Sequence, residues 1–165
     1  MPGVAAFELL PSWDAVIAPP VRHLSLTAEW SPEEAAAIRD AAAAWTRECP
    51  QTLYVWDSNQ TQPEPGDFSS VIVKQGFGGS TTLSAALTLD GILLSDTDVR
   101  LMPELWGGQL YNVALHEFGH VLGLAHSRPG TVMGYALKVS RDGDVLPAER
   151  VRLTLDDVYG CWAAA

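Results

Sequence analysis

Three of the chain's four histidines fall in one short run, His116-Glu117-Phe118-Gly119-His120-Val121-Leu122-Gly123-Leu124-Ala125-His126. Side chains four apart on a helix lie one above the other, about 6 Å apart along the axis, so His116 and His120 can reach one ion from the same face. Glu117, one residue along, lies near such an ion without ligating it. A helix that simply continued would carry position 126 past the metal. Gly123 resolves this, because glycine adopts the left-handed conformation that ends a helix without steric cost. His126 is then free to turn inward as a third ligand. Three neutral imidazoles leave a divalent ion its full charge and an open fourth position for water. That is the pattern of a catalytic zinc site, whereas a structural site is closed by four protein ligands.

The chemistry expected of this arrangement is hydrolysis without a covalent intermediate. The metal lowers the pKa of its water toward roughly 7. Glu117 accepts the water proton as hydroxide attacks a polarised scissile carbonyl, and delivers it to the leaving amine. The plain alternative makes the three histidines ordinary core or surface residues and Glu117 an exposed helix acid. Against it, a chance match to the spacing H-E-x-x-H-x-x-G-x-x-H in a chain of this length is on the order of one in 10⁵. The fourth histidine, His23, reads as a strand residue with no metal role.

Several elements must position this run. The spacing predicts a helix over about Gln109 to Leu124 that carries the chemistry. Ser31-Pro32-Glu33-Glu34 supplies an N-cap, a proline at the first helical position and acids in the first turn, which predicts a helix from Pro32 to Glu48. Ala37, Ile38, Ala41, Ala44 and Trp45 line one face of it, and Pro50 ends it. Strands are expected at Val21 to Thr27, Thr52 to Trp56, Ser69 to Lys74, Leu83 to Leu89 and Ile92 to Ser95. The last two are joined by the turn dipeptide Asp90-Gly91. Residues 57 to 66 read as a loop, and Gly76, Gly78 and Gly79 as a flexible turn. A second Asp-Gly turn is expected at Asp142-Gly143, and a closing helix from Thr154 to Trp162. Residues 1 to 20, with Pro2, Pro11, Pro19 and Pro20, read as an extended surface arm without regular structure.

Composition narrows the function classes. The chain has 165 residues, the size of one domain, and a formal charge of −10. With no basic cluster anywhere, nucleic acid is excluded as an expected partner. No apolar run approaches the roughly 18 to 20 residues of a spanning helix. Met1 to Glu8 lack a basic n-region, and Pro11 and Asp14 interrupt any apolar run after them, so no secretory signal is legible. Cys49 and Cys161 either close one long loop, constraining the unfolded chain by about 4 to 5 kcal/mol, or stand as two buried thiols.

At His116 to His126 the sequence resembles the metzincin clan of zinc metallopeptidases, and within it the matrixins, the family of the matrix metalloproteinase catalytic domain. Ser127 directly after His126, and Met133 a few residues later, match the short matrixin linker. The resemblance covers residues 21 to 163, with strong identity confined to 116 to 135. It implies an α+β fold: a twisted, mostly parallel five-stranded sheet with one antiparallel edge strand, an active-site helix, a backing helix and a small C-terminal subdomain ending in a helix. The subdomains would span about 21–123 and 124–165. Met133 would form the floor under the zinc, and Asp156 or Asp157 would brace its turn. The strand carrying Leu83, Ser84, Ala85 and Ala86 would be the upper rim of the cleft, an edge to which an extended peptide adds. Otherwise it is a plain edge strand.

The sequence also departs from the family. Tyr135 stands where matrixins commonly have proline, so it either approaches the metal or oxyanion through its hydroxyl or packs as an ordinary aromatic. Asn112 occupies the position that helps set the depth of the main specificity pocket, which puts a preference for bulky apolar side chains in doubt. Gly66 to Leu101 contains no histidine, so a second, structural zinc is not expected. Asp90, Asp96 and Asp98 could supply calcium oxygens or simply cap turns. The family's autoinhibitory cysteine segment is missing. The expectation is a monomeric zinc-dependent endopeptidase, extracellular by analogy, acting on extended protein or peptide substrates. Its rivals are a catalytically silent zinc-holding peptide-binding module and a hydrolase of a non-peptide amide.

Overall fold

The computed structural model describes residues 9–10, 16–17, 21–51, 53–56, 68–74, 79–87, 92–101, 103, 105, 107–134 and 149–164. Its elements are β1 (Val16–Ile17), β2 (Val21–Leu26), α1 (Pro32–Glu48), β3 (Leu53–Trp56), β4 (Phe68–Lys74), β5 (Gly79–Leu87), β6 (Ile92–Leu101), α2 (Gly107–Val121) and α3 (Leu155–Ala164). The cap expected at Ser31 is present as a full capping box: Ser31 Oγ accepts from Glu34 N, and Glu34 Oε2 accepts from Ser31 N. The face of α1 formed by Ala37, Ile38, Ala41, Ala44 and Trp45 is buried as the periodicity requires.

β2, β3, β4 and β6 form a parallel set in the order β3-β2-β4-β6, and β5 runs antiparallel along the outer side of β6. The α+β architecture with one antiparallel edge strand is therefore present. The strand limits differ from expectation near that edge. β6 continues to Leu101 and β5 begins at Gly79, because Gly79 to Thr82 pair with Leu101 to Asp98. The polar stretch Asp96 to Asp98 is carried inside β6, where neighbours on both sides satisfy its backbone; this outweighs the weak strand preference of aspartate. A bulge between Ser84 and Ala85 shifts the register, a kink of the kind that re-aims an edge.

The N-terminal arm, expected to lack regular structure, contributes a sixth strand. Val16 and Ile17, both β-branched, pair with Ile92 and Leu93 on the length of β6 that β4 leaves free. Leu9 bridges to Leu124, and Leu10 N donates to Gly123 O at 2.8 Å. The turns expected at Asp90-Gly91 and Asp142-Gly143, the loop over 57 to 66, and Tyr135 lie outside the described residues.

α2 packs against α1 and beneath the sheet, and three side chains donate to successive carbonyls along one of its faces. Trp45 Nε1 donates to Leu115 O (2.8 Å), Tyr54 Oη to Phe118 O (3.0 Å) and the Arg22 guanidinium to Val121 O. All three donors are buried. They come from α1, β3 and β2, so the rotation and the axial position of α2 are both set by partners distant in sequence. A cation at the last carbonyl also suits the negative end of the helix dipole.

The two cysteines form a disulfide between the C-cap of α1 and α3, with a Cα–Cα separation of 6.2 Å. The alternative of two buried thiols is thereby settled in favour of the cross-link. Among the described residues no helix is long and apolar enough to cross a membrane. The bridge spans 112 residues, so replacing both cysteines by alanine is expected to lower unfolding stability by about 2–5 kcal/mol. Urea denaturation of the variant beside the oxidised protein measures this, and coincident midpoints would show that the cross-link does not limit unfolding.

Candidate metal centre and active site

α2 ends as the glycine requires. Gly123 has φ of 101°, Leu124 N donates to Gly119 O (3.0 Å) and Gly123 N to His120 O (2.9 Å). This paired closure is the glycine-terminated helix end that satisfies otherwise orphaned carbonyls. It reverses the chain so that Leu124 O meets His120 Nδ1 at 2.7 Å and His126 returns toward the helix.

The three histidine rings converge. His116 Nε2 lies 3.1 Å from His120 Nε2, and His126 Nε2 lies 3.2 Å from each of the others. A carbonyl oxygen only accepts, so His116 Nδ1, 2.8 Å from Val132 O, carries its ring's proton, and His120 Nδ1 does the same toward Leu124 O. Both Nε2 atoms therefore present lone pairs, which repel at this distance unless a cation lies among them. Tetrahedral zinc with bonds of about 2.0–2.1 Å holds neighbouring ligand atoms about 3.3 Å apart, close to the triangle observed. The donor set fits zinc. Burial pushes the His116 pKa down to about 4, reinforced by its neighbour His120, and burial lowers His120 as well. Neither ring then takes up a second proton near neutrality. His116 is buried and His126 exposed, which leaves the centre open on one side.

Glu117 is 2 % exposed and lines a cavity of about 510 Å³ with His120, His126 and Ala125. The opposite wall is Ser80 and Thr81 at the start of β5, and Leu10 of the arm. Thr81 Oγ1 donates to Glu117 Oε2 at 2.5 Å. Burial raises the Glu117 pKa to about 7, with the Thr81 hydrogen bond opposing it.

Met133 is buried and its sulfur packs on Gly119, where an added Cβ would lie 2.2 Å from Sδ. The residue between Phe118 and His120 must therefore be glycine for the methionine to sit there. Of the two candidate acids on α3, Asp157 takes the bracing position. Its buried carboxylate accepts from Val132 N (3.0 Å), Met133 N (3.2 Å), Thr154 N (2.8 Å) and Thr154 Oγ1 (2.7 Å). Asp156 instead pairs with Arg128. Val132 is thus held by Asp157 through its N–H while its carbonyl holds His116. Ser127 closes the same turn, donating its N–H to Met133 O and bonding Thr131 through its hydroxyl.

Asn112 is buried, but it is not among the described residues lining this cavity; its amide bonds Glu149 O and Val151 N, both at 2.8 Å. Leu83, Ser84, Ala85 and Ala86 lie on β5 opposite Thr97, Asp96, Leu94 and Leu93. His23 sits in β2, apart from the histidine cluster. Of the acids considered for calcium, Asp98 is exposed on β6, Asp96 lies in the same strand and Asp90 falls outside the described residues. Among the described residues, the only gathered set of three or more His, Cys, Asp or Glu ligand atoms is the histidine triangle. Sequence reading missed Thr81, Leu10 and the three donors to α2. None carries a local motif, since each acts through a partner far along the chain.

Comparison with known proteins agrees with this geometry. The structure is similar to high choriolytic enzyme 1, a hatching-enzyme zinc protease of the medaka fish Oryzias latipes, at a TM-score of 0.55 and 14 % identity over 93 % of this chain and 95 % of that one. This likeness is one of fold. No curated protein matches the sequence. The matrixin family model matches residues 23–163. With its histidine triangle and buried glutamate inside that match, the chain belongs to the matrixin family of zinc metallopeptidases.

Proposed function

We propose that this chain cleaves internal peptide bonds of extended polypeptides, with His116, His120 and His126 holding one zinc ion and Glu117 carrying the proton. The observation that bears most weight is the triangle of Nε2 atoms, two of whose rings, His120 and His126, line one cavity with a buried carboxylate. Zinc bound there supplies a Lewis acid that polarises a carbonyl and acidifies water. Glu117 takes a proton on its carboxylate and returns it to the leaving amine. Burial raises the proton affinity of this carboxylate above that of an exposed glutamate in the metal-free protein, a shift in the direction that suits a general base.

Among the described residues β5 pairs only with β6. Its other edge suits an extended substrate adding as a further strand, with Leu83 to Ala86 along the rim. Met133 serves as the floor of the centre. Asn112 is the residue that bears on pocket depth, held in place by its bonds to Glu149 and Val151. The disulfide supports an exported enzyme, since such bonds persist in oxidising compartments.

Purified protein is expected to hydrolyse casein and a quenched peptide library, to lose that activity to a chelator and to regain it with zinc. Glu117→Ala should lower kcat/KM by about 10²- to 10⁴-fold. If variant and wild type turn over alike, the mechanism is wrong.

Removing the brace should loosen the metal. Asp157→Ala strands the buried Val132 and Met133 N–H groups, at about 1–3 kcal/mol each. It should also weaken zinc binding about 10- to 100-fold through His116, read by competition with a chelating dye. Asp156→Ala, which removes an ion pair with a largely exposed arginine, serves as the control; equal effects from the two would refute the assignment.

The Glu117 pKa carries a stability signature in the metal-free protein. Its folded value, about 7, lies above the ordinary glutamate value of 4.5. Its stabilising contribution is therefore complete below about pH 4.5 and is lost as pH rises through 7. Metal-free Glu117→Gln is thus expected to be more stable than metal-free wild type at pH 8, by on the order of 3 kcal/mol, and to lose that advantage near pH 4.5. Melting curves across this range would contradict the buried-carboxylate account if the difference were flat.

A further inference from the structure

Among the described residues, one side chain outside α2 is hydrogen-bonded to the Glu117 carboxylate. Thr81 Oγ1 lies 2.5 Å from Glu117 Oε2 and 3.2 Å from Glu117 O, although 36 positions separate the two residues. A threonine hydroxyl carries one proton, and both of these oxygens accept. The shorter contact is therefore the principal bond, and the backbone carbonyl takes a minor share.

The direction of that hydroxyl is not free. Thr81 is paired in register with Val99 of β6, whose side chain is fully buried. Threonine is stiff at χ1 because its Cβ is branched. Glutamate, by contrast, has three rotatable side-chain bonds. An exposed strand edge thus holds a fixed donor against the flexible end of the group that must meet the reacting atoms.

We propose that Thr81 is a positioning residue for peptide hydrolysis, holding Oε2 of Glu117 so that Oε1 is the oxygen that exchanges protons. This rests on the peptidase reading of the site. It also gives β5 a second part in the reaction. The strand to which the substrate would add is the same strand that orients the base, so ordering of β5 by a bound peptide also orders Glu117.

The role separates from plain structural support in kinetics. Thr81→Val keeps the branched shape suited to a strand and removes the donor; Thr81→Ser keeps the donor. Both are made in the full zinc-loaded chain, with zinc content and melting temperature measured alongside kcat and KM on a quenched peptide. Thr81→Val is expected to lower kcat about 10- to 100-fold, with KM and zinc content within about twofold of wild type, and Thr81→Ser to recover kcat to within about threefold. Wild-type kcat in Thr81→Val overturns the proposal. So does equal impairment of the two variants, or a loss carried by KM or zinc content. A wild type indifferent to Glu117→Ala would overturn the peptidase reading itself and this proposal with it, whereas a glutamate-dependent wild type with an unaffected Thr81→Val overturns only the proposal.

Discussion

Three imidazole nitrogens meet at 3.1–3.2 Å, and the two whose lone pairs are fixed toward one another, those of His116 and His120, repel until a cation enters. The protein must hold them there by other means. It does so by occupying the opposite nitrogens: His116 Nδ1 is tied to Val132 O and His120 Nδ1 to Leu124 O. These bonds choose the tautomer as well as the ring direction, and they make each ligand only as steady as the carbonyl that holds it. One carbonyl is placed by the glycine reversal at the end of α2. The other belongs to a peptide unit whose N–H is bonded by Asp157 of α3.

The metal centre therefore depends on the two chain segments that supply these carbonyls, and the rest of the fold keeps α2 still. Trp45, Tyr54 and Arg22 reach its carbonyls from α1, β3 and β2. The disulfide joins the end of α1 to α3, so the helix that bears Trp45 and the helix that bears Asp157 are covalently connected. Met133 against Gly119 closes the remaining space between the turn and the helix. Close packing of this kind transmits small displacements, which is why supports distant in sequence bear on the ligand positions.

The open side of the centre is organised differently. His126 is exposed, and the cavity beside it is walled by an edge strand and by Leu10 of the arm. Glu117 sits between the rigid and the open sides, buried enough for its pKa to rise and bonded to a hydroxyl of the edge strand. The N-terminal arm thus forms part of the site, through Leu9 on Leu124 and Leu10 on Gly123.

Much of this was legible from local pattern. The metal ligands, Glu117 and the turn at Gly123 follow from helix periodicity and from the conformational freedom of glycine. The α1 limits follow from capping chemistry, since these effects act within a few residues along the chain. Other features depended on the tertiary structure. Asp157 was distinguished from Asp156 by which carboxylate the α3 approach turns inward, and the cysteine pairing by a distance across 112 residues. β6 runs on through Asp96 to Asp98 because both its neighbours supply backbone partners there, a condition that composition cannot express. The hydrogen bonds of Thr81, Arg22, Tyr54, Trp45 and Leu10 carried no sequence signal, because a bond to a partner tens of residues away leaves no spacing to read. Local torsional preference and periodicity are written in the order of residues; long-range pairing arises only once the chain has packed.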